Sequence, residues 1–361
     1  MDATMLIMWG GFLLSAYAVV GNDSIQTLGT FLTSNEDRPW WMLWAFAGSI
    51  LTATLVYGWV THGGDVSYGR LLVSSKVDPT ALRYPNPAEI EGFAWPYILP
   101  PLILMLLTRT GIPVSTSFLI LTFFAPKGVY DMIFKSMLGY GLAFVVAIVL
   151  YVVIARSLSK KFITTPLKPD QKKLWTFLQW GSTGFLWSMW LIQDFANIYV
   201  YLNRQITGLE LAISLAVLLG MLALIFYRKG GSIQKIVRAK TNTHDIRSAT
   251  IIDATYSLLL LFFKEYNDIP MSTTWVFLGL LAGREIAIRW RLGDRSDKNE
   301  YLDADEPGFA LDADQNIHPM SLGKDTWKMV GSDLWKVFLG LAISVALVFV
   351  MQWLTGQGAG F

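Results

Sequence analysis

The sequence contains no cysteine in 361 residues, which excludes disulfides, thiolate metal centres and thiol redox chemistry. Histidine is almost missing too. His62, His244 and His318 stand far apart in polar stretches, so no histidine-held metal centre is expected. Charge is scarce: 16% of residues are charged and the formal net charge is +2, too near neutral for a nucleic-acid surface. The polar loops hold no paired catalytic carboxylates, nucleophile elbow or metal-ligand cluster, so an enzyme is not expected. Residues 1–20 lack the basic n-region of a cleaved signal peptide and read as a first membrane helix kept in the mature chain.

What fills the sequence is apolar. Hydrophobic residues make up 53% of it, and the mean hydropathy is +0.43. Phe46–Val60, Gly139–Ile154, Leu211–Tyr227 and Val337–Leu354 are nearly free of charge, approaching the roughly 20 residues that cross a bilayer. The pattern predicts an all-α integral membrane protein. Its segments are Met5–Phe31, Trp40–Val60, Ala94–Leu107, Val114–Phe124, Ile133–Ile154, Trp175–Leu202, Leu209–Tyr227, Thr250–Phe263, Met271–Arg289 and Leu334–Leu354. The stretches flanking Pro113 and Pro270 pair around Pro-Ser-Thr turns. Short apolar arms with a polar break predict two re-entrant helical hairpins. The 15 tryptophans are expected to anchor the chain at the bilayer interfaces.

Basic residues set the orientation. Arg156, Lys160, Lys161, Lys168, Lys172 and Lys173 crowd one loop, and Arg228, Lys229, Lys235, Arg238, Lys240 and Arg247 another. Both are expected in the cytoplasm, with the two termini outside and 291–333 as a solvated cytoplasmic loop. The order helix, helix, loop, hairpin, helix then occurs twice with opposite polarity. Residues 1–155 form the first inverted-topology repeat, 156–174 a cytoplasmic linker, and 175–361 the second repeat. This architecture is common among secondary transporters.

Two motifs recur once per half. Gly21-Asn22-Asp23-Ser24-Ile25-Gln26 lies inside the first segment, and Gln193-Asp194-Phe195-Ala196-Asn197 inside the sixth. Each sets one acid between two carboxamides. An aspartate in a membrane helix costs about 2.5–3.5 kcal/mol on insertion scales and needs a partner or a role. Such a cluster suits a locally unwound, broken helix. Its carboxylate, amide and carbonyl oxygens are hard ligands suited to Na⁺. The plainer alternative is hydrogen bonding between helices. The second motif is Pro113-Val114-Ser115-Thr116-Ser117, matched by Pro270-Met271-Ser272-Thr273-Thr274. Proline and hydroxyls before an apolar run mark a helix start. Its free N–H groups and dipole favour an anion, although ordinary capping uses the same residues. Two such ends meeting from opposite faces would cradle a tetrahedral oxyanion. Arg109 either snorkels to the interface or adds charge to that cradle. Asp253 is expected near the cytoplasmic surface, with a buried proton carrier as the alternative. Lys264, Glu265, Asn267 and Asp268 line a vestibule or form the hairpin's polar turn.

These four stretches resemble the inorganic phosphate transporter (PiT) family, whose signature pairs a G-A-N-D-V-A-N type motif with a P-V-S-T-T-H type motif in each of two inverted halves. The resemblance covers nearly the whole chain apart from loops. It implies cation-coupled uptake of phosphate by a homodimer in a cell membrane, Na⁺ usually and H⁺ sometimes being the coupling ion, with no other cofactor. By position, Asn22, Asp23 and Gln26 would line one cation site, and Gln193, Asp194 and Asn197 its mate. Ser115, Thr116, Ser117, Ser272, Thr273 and Thr274 would bind phosphate. The sequence departs from the pattern where the family's hairpin histidine is Phe118 in one half and Trp275 in the other. Sulfate or another small oxyanion, and a transport-inactive homologue acting as a receptor or partner subunit, remain alternatives.

Overall fold

A computed structural model describes residues 3–72, 82–90, 93–109, 115–125, 129–154, 168–229, 246–266, 272–293, 309–311, 317–319, 331, 335, 338–347 and 349–350. In chain order these form α1 (Ala3–Ser34), α2 (Trp40–Thr61), α3 (Leu99–Arg109), α4 (Thr116–Phe124), α5 (Val129–Ile154), α6 (Pro169–Tyr199), α7 (Gly208–Tyr227), α8 (Ile246–Tyr266) and α9 (Thr273–Gly293). A short apolar helix, α10 (Phe338–Leu347), follows. Between α9 and α10 a small antiparallel hairpin pairs β1 (Phe309–Leu311) with β2 (Ile317–Pro319). The rest of the described regular structure is helical.

Ala3–Ser24 of α1, all of α2, Tyr130–Val152 of α5 and all of α7 are long and apolar enough to cross a membrane. Helices α3 and α4 have 11 and 9 residues. At 1.5 Å per residue each reaches about half of a 30 Å hydrocarbon core, as a re-entrant hairpin requires. The arms of the second hairpin are longer than the apolar pattern predicts. Helices α8 and α9 run 21 residues each, because polar ends such as Ile246-Arg247-Ser248 and Lys264-Glu265 extend the helix past the apolar stretch.

One expectation is corrected. Neither motif-bearing helix is broken: α1 and α6 stay helical through Asn22–Gln26 and Gln193–Asn197. Hydroxyls bond back along α1 instead. Ser24 donates to the Val20 carbonyl, Thr27 to that of Asp23 at 3.1 Å and Thr33 to that of Gly29 at 2.9 Å. Such back-bonding satisfies a polar side chain in a helix without unwinding it.

Two devices hold the helices together. Where α9 lies along α5, Gly279 and Gly283 face the backbone. A Cβ at either position would clash with the carbonyl oxygen of Tyr140 or Phe144. Glycines four apart let helices approach this closely. Indoles link α2, α6 and α7 to neighbouring carbonyls: Trp187 to Ala47 at 3.0 Å, Trp44 to Leu219 at 3.0 Å and Trp59 to Ile206 at 2.8 Å. The tryptophans therefore divide. Trp41 and Trp95 are exposed, as interfacial anchors should be, while Trp187 and Trp190 are buried and stacked at 5.0 Å.

Candidate functional site

Helices α4 and α9 begin alike. Ser115 caps α4 by accepting the Phe118 N–H at 3.3 Å, and Ser272 caps α9 by accepting the Trp275 N–H at 3.2 Å. The two starts meet inside the bundle, with the Phe118 and Trp275 rings 5.4 Å apart. The aromatic residues that follow the two Ser-Thr starts are thus each other's neighbours. Ser136 on α5 braces the second start by accepting the Ser272 N–H at 3.0 Å, and Tyr256 on α8 donates to the Thr273 carbonyl at 3.1 Å.

The acids of α1 and α6 point at these starts. Asn22 donates to Asp23 Oδ1 at 2.6 Å, and Thr116 and Thr274, one from each hairpin, present their hydroxyls toward Asp23. Thr273 donates to Asp194 Oδ2 at 2.9 Å, and Asn197 Nδ2 to Asp194 Oδ1 at 2.5 Å. The same Asn197 amide reaches Thr116 Oγ1 at 3.0 Å. One hydrogen-bonded chain therefore runs Thr116, Asn197, Asp194, Thr273, with the Asn22–Asp23 pair beside it. It joins both halves of the sequence. The two carboxyls lie close enough for their charges to interact, which in a dry interior is strongly unfavourable when both are ionised.

Ser115, Thr116, Ser117, Ser272, Thr273, Thr274, Asn22, Asp23, Gln193, Asp194 and Asn197 are all buried. The Gln26 side chain lies outside the described residues, as does that of Arg109. Ser115 and Ser272 are engaged as caps, Thr273 with Asp194 and Thr116 with Asn197. The carboxamides are not all engaged. Neither polar atom of Gln193 has a hydrogen-bond partner, nor has Asn197 Oδ1. A buried amide left unpaired costs about 1–3 kcal/mol, and such groups call for a ligand, an ion or water. These oxygens with the two carboxylates form a donor set suited to a hard cation. Among the described residues no three His, Cys, Asp or Glu side chains cluster as a metal site.

Asp253 is buried between helices. It is 1% exposed on α8 and accepts hydroxyls from Thr30 of α1 at 2.6 Å and Thr183 of α6 at 2.5 Å. Its place seven residues into an arm with few other charges was the available signal. Lys264 and Glu265 pair at 2.9 Å, with Glu265 exposed; Asn267 and Asp268 lie outside the described residues. Arg70, in the segment after α2, belongs to no motif. It is buried and donates from Nε to the Ile192 carbonyl at 2.9 Å, beside the second motif. No property of the residue's neighbours in sequence marks it.

The fold and the buried polar centre are those of a helical membrane bundle with two hairpins meeting inside it. The chain is similar along its length to a solved structure titled "The sodium-dependent phosphate transporter", with a TM-score of 0.60 and 13% identity, covering 98% of this chain and 99% of that one. The chain shares that structure's fold. No family model matches the sequence, and no curated protein does.

Proposed function

We propose that the chain is a cation-coupled secondary transporter of inorganic phosphate, working by alternating access between two inverted repeats. The observation that carries this reading is the convergence of both acid motifs and both hairpin starts into one buried hydrogen-bonded centre. A transport-inactive homologue would have no need to keep them together.

The shared threonines supply a coupling mechanism. While Asp23 and Asp194 are ionised they hold the hydroxyls of Thr116, Thr273 and Thr274 and repel an anion. A cation at the acids, with Asn22, Gln26, Gln193 and Asn197 as further oxygen ligands, cancels that charge. The threonines can then turn their hydroxyls, with the helix N–H groups, to a tetrahedral anion. Anion binding tightens the cation in return, because linkage is reciprocal. Na⁺ is the coupling ion that the donor set favours, and H⁺ the alternative. Homodimeric assembly in a cell membrane, with both termini outside, belongs to the same proposal.

The test is uptake of radiolabelled phosphate into proteoliposomes under an inward Na⁺ gradient, an H⁺ gradient, or neither, with unlabelled sulfate as competitor. Na⁺-stimulated uptake that sulfate does not block is the expected result. No uptake under either gradient, from folded protein, rules the reading out; uptake blocked by sulfate changes the substrate.

A further inference from the structure

The second hairpin carries a charge that the buried centre does not use. Arg284 lies on α9, about 16 Å past Thr273 at 1.5 Å per residue. Its neighbour Gly283 lets α5 approach so closely that a Cβ there would meet the Phe144 carbonyl and the Ala147 side chain. Arg284 is thereby pressed along α5 to Tyr151, one turn beyond Ala147. Its guanidinium carbon sits over the Tyr151 ring, 5.5 Å from the ring centre. Both side chains are enclosed, Arg284 at 4% exposure and Tyr151 at 9%. Arg284 Nε and the Tyr151 hydroxyl are nonetheless without a hydrogen-bond partner. Among the described residues no carboxylate forms an ion pair with Arg284. Asp253, the buried acid of the adjoining arm, is held by Thr30 and Thr183 instead.

Arginine cannot shed its proton to escape burial. A charge inside a membrane bundle is costly, and it is kept where it pairs or where it marks the path of an ion. The Tyr151 ring gives this one partial relief through its π face but supplies no anion. A guanidinium offers N–H donors in a rigid fork that matches two oxygens of an oxyanion, and the Tyr151 hydroxyl is one donor more. We propose that Arg284 and Tyr151 form a second oxyanion site, which takes inorganic phosphate on its way to or from the centre. The proposal rests on reading the chain as a phosphate carrier. Both sites are built on the same two helices: Ser136 of α5 meets Ser272 of α9 at the first, and Tyr151 meets Arg284 at the second. The two differ in charge. The acids of the centre repel an anion until a cation arrives, whereas the fixed charge of Arg284 attracts one without a cation. A lipid phosphate would present the same oxygens, but the enclosure of both side chains favours a free ion.

The experiment uses the full chain purified in detergent, with bound radiolabelled phosphate counted by equilibrium dialysis in Na⁺ and in choline at equal ionic strength. Two phosphates per chain are expected in Na⁺ and one in choline, the one that stays being held at Arg284. Arg284→Gln should remove binding in choline and leave the Na⁺-dependent phosphate at unchanged affinity. Arg284→Lys, which keeps the charge and loses the fork, should weaken binding in choline about tenfold, and Tyr151→Phe several-fold. If Arg284 only packed on its neighbours, none of these variants would change the phosphate count. Arsenate diffused into crystals of the unaltered chain should give an anomalous peak beside Arg284, a result that stands even if the variants fail to fold. No binding in choline, binding there that survives Arg284→Gln, or no arsenate at Arg284 overturns the proposal alone. So does displacement of the choline-resistant phosphate by dihexanoyl phosphatidic acid, which would make this a lipid site. A chain that gains no phosphate in Na⁺ overturns the transport reading, and the path with it.

Discussion

The seam between α1 and α6 is closed by different chemistry on the two sides of the buried acids. Toward the start of α1 and the end of α6 the seal is aromatic. Gly11 lies beneath the Tyr201 ring, and Phe12 meets Tyr199 at 5.4 Å. Tyr201 then packs on Phe124 at 5.0 Å, and Tyr97 on Phe123 and Phe124 at 5.4 and 5.3 Å. Tyr201 also donates to the Tyr97 carbonyl at 3.0 Å. Toward the end of α1 and the start of α6, Phe31 and Phe46 pack on Trp180 at 5.2 and 4.7 Å, and the rest of the seal is polar. Thr30 and Thr183 hold Asp253, Asn35 donates to Gln179 at 2.9 Å, and Trp180 donates to Asn35 at 3.1 Å. Water can replace hydroxyl and amide partners at little net cost, but it cannot replace packed rings. On the proposed transport cycle, the side richer in hydroxyl and amide contacts is expected to open more readily.

That contrast can be broken most severely at the aromatic end. Tyr201→Ala leaves a cavity among Gly11, Tyr97 and Phe124 and should lower stability by about 3–5 kcal/mol, read as a fall in the unfolding midpoint in detergent. If the loss is under about 1 kcal/mol, the aromatic side is not a packed seal. At the polar end, Asp253→Ala strips both threonines of their acceptor. An expected loss of about 1–3 kcal/mol follows from the unsatisfied hydroxyls, and Asp253→Asn should recover part of it. Asn35→Ala removes contacts nearer the end of α1, at an expected cost of about 1 kcal/mol. A cysteine-free sequence also permits a sharper test. Single cysteines at Thr30 or Thr183 should react with a hydrophilic maleimide in a Na⁺- and phosphate-dependent way, and cysteines at Phe12 or Tyr199 much more slowly. Equal rates at both ends would erase the distinction.

Much of this molecule is legible in its sequence, for a physical reason. A bilayer forces helices to be long and apolar, so their positions follow from hydropathy, and the arms of the first hairpin stand out by being short. The acids and the Ser-Thr starts were visible because polar groups in apolar runs are costly and rarely idle. What the sequence hid was set by tertiary packing. Nothing local says that Ser24, Thr27 and Thr33 can satisfy themselves along α1, so an unwound helix was the natural expectation, and it was wrong. Nothing local places Arg70 beside Ile192, since that depends on two positive-φ residues and a distant helix. Nothing local shows that Asp253 is held between helices, because its partners, Thr30 and Thr183, are 223 and 70 residues away.

The central claim is that cation and anion share one centre through the threonines that contact both acids. It is tested most directly by phosphate binding measured calorimetrically in Na⁺ and in choline at equal ionic strength, for the unaltered chain and for Asp23→Asn. The account predicts affinity at least about tenfold higher in Na⁺, with the difference lost in the variant. Equal affinity in the two salts, from protein that binds phosphate, would contradict it.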